Sequence, residues 1–389
     1  MIRAVLLDLD DTLLGNQIDA FLPVYLERLG AHLNDLVPAE QMIPALLQAT
    51  RRMMQNRDPA RTLEQAFAQA FYPALGVPAE RLRERIDSFY ATEFPRLRDL
   101  TRRRPEARPL VESALQSGLQ VAVATNPLFP LTAIAQRLAW AGVPPDEVAY
   151  AFVASYETMH FCKPDTAYFT EILGRLGAPA HESAMIGDNP EDDLAPAGSL
   201  GLATFRIAEP AGEHLERARL WLREALDHAS LESARSGGSL LAHLRGFLAA
   251  WLGQTDGLGA DAWTRRTAAG GWAPIEIVCH VRDVELEVSL PRVEAILASP
   301  NTFISAADTD PWAETRRYLH QDPREARQAL LQARTRLIAR LEALDPPQWE
   351  QPARHALLGP TTLRELVAVA VDHDRQHLAQ LRGAIGARV

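Results

Sequence analysis

The amino-acid sequence predicts an α/β doubly wound parallel sheet with a helical insertion, followed by a C-terminal all-α four-helix bundle. Three observations carry this expectation. Short apolar runs alternate with helical patterns up to about residue 207. The stretch from about 16 to 100 shows helical periodicity alone. Beyond about 239, four long helical segments follow with no strand pattern.

The first run, residues 2–8 (IRAVLLD), is largely apolar and ends in a carboxylate, which suits a strand covered on both faces. Similar runs lie at 119–124, 149–153, 183–187 and 200–206, and helical patterns at 107–117, 129–141, 165–176 and 191–198 separate them. Such alternation predicts a parallel sheet, whose ligands bind off the carboxyl ends of its strands. The domain expectation is a core of 1–15 and 101–207 with an insertion at 16–100. A charged helix over about 209–235 and a Ser236-Gly237-Gly238-Ser239 linker then connect it (208–238) to a bundle of 239–389. The bundle helices are expected at 239–254, 272–298, 323–344 and 361–384.

A length of 389 residues suits two or three domains. With 47% hydrophobic but only 7% aromatic residues, aliphatic and alanine side chains should fill the cores. The formal charge of −10 argues against nucleic acid as a partner, since phosphate-backbone binding needs a basic face. The one dense basic run, Thr101-Arg102-Arg103-Arg104, reads as a solvated loop. Two distant cysteines, Cys162 and Cys279, make no disulfide framework, so a reducing compartment is expected. Aspartates break the apolar start, and no apolar stretch reaches the roughly 20 residues of a membrane span. The expectation is a soluble cytoplasmic protein with neither membrane nor nucleic-acid partner.

Four polar groups follow the predicted strands. Asp8-Leu9-Asp10-Asp11-Thr12 ends the first, and alternate residues there can face one point. Thr125-Asn126 ends the second and offers a hydroxyl and a backbone amide to a phosphoryl oxygen. Lys163, in Phe-Cys-Lys-Pro-Asp, precedes a helix, where it can hold a phosphate and offset clustered carboxylates. Gly187-Asp188-Asn189-Pro190-Glu191-Asp192-Asp193 is a dense acidic loop, and its hard oxygen ligands suit Mg²⁺.

In this order the four groups resemble the motifs of the haloacid dehalogenase-like hydrolase superfamily, over about 1–207. The resemblance implies a Rossmann-like core and a helical cap over the active site. It implies that Asp8 attacks a phosphoryl group to form an aspartyl-phosphate, and that Asp10 protonates the leaving alcohol and then activates water. Thr125, Asn126 and Lys163 would bind the transferring group. Mg²⁺ would be held by Asp8, the carbonyl of Asp10 and Asp188, with Asp192 or Asp193 in an outer position; the family spacing favours Asp193. Asp10 as a second acid favours phosphatase over dehalogenase chemistry. The implied substrate is a small phosphorylated metabolite. Asn16 and Gln17 fall at the hinge into the cap and read as hinge polarity.

In the C-terminal part, His373 and His377 are four residues apart, on one helical face within about 6 Å. His280, in the Trp272-led second helix, is the best third ligand for a three-histidine site. This region, about 239–389, resembles the DinB-like four-helix family. That resemblance implies a divalent ion such as Zn²⁺ or Ni²⁺ on His280, His373 and His377. It also admits activation of a low-molecular-weight thiol by that metal, or pairing of bundles into a homodimer. Asp283 and Glu285 read equally as groups that orient a histidine or as solvated charges. Cys279 reads as a packed thiol, His243 as core or surface, and Trp251, Trp263, Trp272 and Trp312 as packing groups.

Overall fold

The computed structural model describes residues 2–224, 229–266 and 271–386. Strands β1 (Ala4–Leu7), β4 (Gln120–Val123), β5 (Phe152–Val153), β6 (Ser183–Gly187) and β7 (Ala203–Arg206) form one parallel sheet in the order β5-β4-β1-β6-β7. The remaining early strands, β2 (Leu14–Gly15) and β3 (Arg102–Arg103), pair antiparallel at the base of the insertion. β1 is central, and its four apolar residues are fully buried. Alternation sends Val5 and Leu7 into the core on one face and Ala4 and Leu6 into the core on the other.

The insertion is built of helices α1 (Ile18–Leu33), α2 (Ala39–Met54), α3 (Leu63–Leu75) and α4 (Ala79–Thr92), ending in a 3₁₀ turn at Phe94–Leu100. It packs onto the core through aromatic rings, with Phe94 stacked on Trp140 at 5.4 Å and Tyr25 edge-on to Phe129 at 5.4 Å. The sheet is covered by α5 (Ala107–Gln116), α6 (Leu131–Ala141), α7 (Thr166–Leu176), α8 (Ala195–Ser199) and α9 (Ala211–Trp221). The basic run differs from its expected solvated state. Arg102 and Arg103 are exposed, but Arg104 is buried and donates to the carbonyls of Asp11 and Thr12 and to Glu209. Three acceptors on one guanidinium compensate for its loss of water.

The connector also departs from expectation. The single helix over 209–235 is replaced by α9 and the short α10 (Leu231–Ala234), and residues 225–228 lie outside the described ones. Ser236-Gly237-Gly238-Ser239 is not a free linker. Ser236 caps α11 (Gly237–Thr255), its hydroxyl accepting from the Ser239 amide at 3.3 Å, and both glycines sit in the first helical turn. α11 lies directly against α7 of the sheet domain. A Cβ on Gly246 would stand 2.2 Å from Thr170 Oγ1, and that hydroxyl donates to the Ala242 carbonyl at 2.7 Å.

After α12 (Ala260–Thr264), the second bundle helix comprises α13 (Pro274–Val284), a π turn (Glu285–Ser289) and α14 (Leu290–Ala298). Past α15 (Trp312–Thr315), α16 (Pro323–Glu342) and α17 (Pro346–Trp349), the chain ends in α18 (Leu363–Ile385). The bundle is α11, α13–α14, α16 and α18 around its own apolar core. It also carries a sheet that periodicity did not reveal: β8 (Thr302–Ile304) parallel to β9 (Pro352–His355), which pairs antiparallel with β10 (Gly359–Thr362). These strands are three or four residues long, too short to print an alternating pattern. No helix among the described residues is long and apolar enough to cross a membrane.

Candidate active site and histidine centre

The tips of β1, β4 and β6 converge because they are neighbours in register, Leu7 lying opposite Val123 and Ile186. Asp8 therefore leaves the sheet between the loops that follow β4 and β6. Lys163, just before α7, reaches it: Nζ donates to Asp8 Oδ1 at 2.8 Å and to Asp193 Oδ1 at 2.5 Å. Carboxylate oxygens of Asp8, Asp188 and Asp193 all lie within 4.8 Å of one another. Asp8, Lys163 and Asp193 are at most 6% exposed.

Three close carboxylates share one ammonium. Burial, reinforced by the charge of Asp8, pushes Asp188 up to about 6 and Asp193 up to about 7. Burial works against the Lys163 ammonium, yet Asp8 and Asp193 raise it above the ordinary lysine value. A hard divalent cation fits such an oxygen cluster, since it would supply the positive charge that one lysine cannot.

A five-residue π turn, Pro190–Leu194, separates the two adjacent acids of the loop. Asp193 points inward, so tightly over Gly187 that a Cβ there would lie 2.2 Å from Asp193 Oδ2. Asp192 instead accepts from Asn189 Nδ2 at 3.0 Å and lies outside the cluster. Thr12 Oγ1 approaches Asp188 at 3.4 Å. Thr125 is buried and its carbonyl accepts from Tyr168 at 2.7 Å, while the buried Asn126 Oδ1 has no hydrogen-bond partner among the described residues.

Asp10 stands apart from the three converging carboxylates, with its side chain 32% exposed. Its Oδ1 accepts from Asn16 Nδ2 at 2.9 Å and pairs with Arg137 Nη2. Asn16, expected only as hinge polarity, is buried against this acid, whereas Gln17 is exposed. Arg137 and Arg104 were both missed from sequence. Arg137 carries a signal in retrospect, because it falls in the apolar stripe of α6 with Ala133, Ile134 and Leu138.

The second centre is made by α13 and α18. His373 Nε2 lies 3.2 Å from His280 Nε2 and 3.2 Å from His377 Nε2. Trp272 stacks parallel to His377 at 5.9 Å and leans on His280 at 4.8 Å. His377 Nδ1 is held by Gln380 Oε1 at 2.8 Å, and the buried His280 Nδ1 has no partner among the described residues. Burial first, then the neighbouring histidines, lowers His280 to about 3 and His373 to about 4; burial lowers His377 as well. Three neutral imidazoles with converging Nε2 atoms fit a borderline divalent ion such as Zn²⁺.

Asp283 and Glu285 bind arginines rather than histidines. Asp283 accepts from Arg282, Arg316 and Tyr318, and Glu285 pairs with buried Arg334, which also holds Asp374 at 2.7 Å. Cys279 is a buried thiol facing Gln321 and pushed up to about 12; Cys162 is buried and free. His243 is buried against the Ser239 carbonyl, away from the cluster. Trp251 packs in the bundle core and donates to Asp374 at 2.6 Å, and Trp263 packs in the same core. Trp312 lies half-buried under the Arg316 guanidinium, at 3.8 Å.

Fold and site together define a capped α/β domain with an acid–lysine centre, joined to a helical bundle with a histidine centre. Residues 2–201, just over half of the chain, match the family model for haloacid dehalogenase-like hydrolases, and the chain belongs to that family. Residues 243–381 match the model of the DinB superfamily. A phosphoserine phosphatase of Thermus thermophilus is 31% identical over 143 residues, 36% of this chain and 51% of the relative. A ribulose-1,5-bisphosphate 5-phosphatase of Halopiger xanaduensis is 32% identical over 109 residues, 28% of this chain and 43% of the relative. The chain thus spans about half the length of the curated relatives it matches. Among solved structures, YfiT from Bacillus subtilis, with an unusual four-helix bundle topology, superposes at a TM-score of 0.36 with 20% identity, covering 40% of this chain and 87% of that one.

Proposed function

We propose that the chain is a Mg²⁺-dependent phosphohydrolase that cleaves a small phosphate ester through an aspartyl-phosphate on Asp8. The observation that carries this reading is the convergence of Asp8, Asp188 and Asp193 within 4.8 Å of one another, with Lys163 bonded to Asp8 and Asp193. An Asp8 oxygen attacks phosphorus while Asp10 gives its proton to the departing alkoxide, which leaves as the alcohol. Asp10 then takes a proton from water as the water oxygen attacks the acyl phosphate, releasing inorganic phosphate and restoring Asp8. Lys163, Thr125 and Asn126 hold the oxygens of the transferring group. Mg²⁺ would be held by Asp8, the Asp10 carbonyl and Asp188, and would neutralise phosphoryl charge; Asp193 keeps Lys163 in place, with Asp192 at the rim. The two phosphatase relatives support an ester substrate.

The test is turnover of a phosphometabolite panel with Mg²⁺ by wild type and Asp8→Asn. The expected loss in the variant is at least about 10³-fold. Hydrolysis of no panel member, or equal rates in both proteins, sinks the reading.

A second reading concerns the bundle. The converging Nε2 atoms favour a bound divalent ion, Zn²⁺ or Ni²⁺, on His280, His373 and His377, with open positions for an exogenous thiol. Metal analysis of the full chain tests it, and a metal-free wild type purified without chelator would remove it.

A further inference from the structure

The arginines that meet the buried acids of the bundle, Arg282, Arg316 and Arg334, are all paired, and Arg292 is not. Arg292 stands half-buried on α14, and its Nη2 donates to the Ser305 carbonyl at 2.9 Å. No carboxylate among the described residues neutralises it, and burial lowers its guanidinium below the ordinary arginine value. A cation that loses water without gaining an anion is costly. Its neighbour supplies no anion either. Ser305 follows β8, whose Ile304 pairs with His355, and the Arg292 charge reaches that imidazole. His355 Nδ1 accepts from the amides of Leu357 and Leu358 at 3.3 and 3.4 Å, so its Nε2 carries the hydrogen. That N–H is buried and has no acceptor among the described residues.

Arg292 lines a cavity of about 160 Å³ between the second bundle helix and α18. The walls are apolar, with Val288, Val293 and Ile296 from one helix and Leu366, Val367 and Ala370 from the other. Its polar lining side chains are Ser289, Arg292, Thr309 and His373. Val288 and Ser289 belong to the π turn, an irregularity found mostly at functional sites. Of the three clustered histidines only His373 lines the cavity, whereas Trp272 packs on His280 and His377. The cavity therefore meets the histidine centre on its His373 side. An apolar cavity of roughly 150 Å³ holds one benzene ring. The space here thus admits one ring, or a branched chain of similar bulk, and no long chain.

We infer that this cavity is a binding site for a small apolar carboxylic acid, its ring or short hydrocarbon body between α14 and α18 and its carboxylate on Arg292. The ligand supplies the anion that the fold withholds from Arg292, and the fork of the guanidinium suits two carboxylate oxygens. A bare anion leaves the apolar walls unfilled, and a neutral ring leaves the arginine unpaired. A molecule with both parts satisfies both. Seated there, its body lies beside His373 and is the co-substrate that a thiol at the histidine centre would meet. That last role rests on the metal reading of the centre, whereas the binding site rests on the cavity and Arg292.

The full chain is titrated by calorimetry with benzoate, benzamide and acetate, as wild type, Arg292→Met, Arg292→Lys and Ala370→Leu. Each protein is measured metal-free in chelator and, separately, loaded with Zn²⁺, with the metal content of the same samples determined. Wild type in both states should bind benzoate about tenfold tighter than benzamide, the effect of one half-buried charge-assisted contact, and acetate weakest. Arg292→Met should bring benzoate to within about threefold of benzamide and leave benzamide unchanged, and Arg292→Lys should fall between. Ala370→Leu keeps helix propensity but takes up ring space, so it should weaken benzoate and benzamide alike. Equal binding of benzoate and benzamide by wild type, or binding of neither, overturns the inference. Benzoate that binds only with Zn²⁺ and is unaffected by Arg292→Met also overturns it, because the carboxylate then sits on the metal. Discrimination by a wild type that takes up no Zn²⁺ supports the site and removes the metal reading; Zn²⁺ uptake without discrimination does the reverse. If Arg292→Met does not fold, the wild-type comparison and Arg292→Lys decide.

Discussion

The acid centre and the histidine centre both gather three ligand side chains, but one is charged and the other neutral. Each brings three ligand-bearing side chains to one point, the histidines from the two helices α13 and α18. Each also has a π turn in its loop or helix, Pro190–Leu194 in one and Glu285–Ser289 in the other, a local irregularity that re-aims side chains. The acid centre contains its own buried cation, Lys163, and remains short of positive charge. The histidine centre is neutral, and the charges nearby are already paired: Arg334 with Glu285 and Asp374, Arg282 and Arg316 with Asp283. A centre of like charges is held by a counter-ion, whereas a centre of neutral donors is held by the packing of its helices.

The largest test of that contrast is removal of the counter-ion. Lys163→Met leaves three close carboxylates without a cation. Breaking a buried ion pair costs about 3–5 kcal/mol. Urea unfolding without Mg²⁺ should show a loss of that size, and added Mg²⁺ should restore part of it. A midpoint within error of wild type would mean that the lysine does not hold the acids. At the other centre, His280→Ala removes one neutral donor of three. Bound Zn²⁺, measured by elemental analysis, should fall from about one per chain to a small fraction, with stability changing less than in Lys163→Met. Retention of one ion per chain would exclude His280 as a ligand.

The finest test uses pH on metal-free protein. Asp188 and Asp193 are raised in the folded state, so between about 4 and 7 the folded chain keeps protons that the unfolded chain has released. Their contribution to stability therefore falls as pH rises through that window. His280 and His373 are lowered, so the unfolded chain binds protons below about 6.5 that the folded chain does not. Their contribution is present above 6.5 and is lost as pH falls towards 3 or 4. The two centres oppose each other over the same range. Asp188→Asn should make stability climb more steeply from pH 4 to 6, and His280→Gln should flatten or reverse the climb. Wild-type slopes in both variants, from unfolding series in chelator, would show that neither centre titrates this way.

The sequence by itself determined the strands, the insertion and the groups at the strand ends. Apolar runs with no polar face can only be buried on both sides, and their carboxyl ends must carry whatever binds there. Asp8, Lys163 and Asp188 were legible for that reason, and the spacing of four between His373 and His377 is a property of any helix. Other features depend on partners far away in the chain. Only tertiary structure turned Asp193 inward and Asp192 outward, through a π turn that periodicity does not report. It converted Arg104 from a solvated charge into the clasp of the turn after β1, and it put Arg137 beside Asp10 across more than a hundred residues. It made Ser236–Ser239 the start of a docked helix, because the close approach of α7 and α11 is set by packing at Gly246. Local hydrogen bonding and burial can be read one segment at a time. Which charge meets which is settled only when distant segments are folded together.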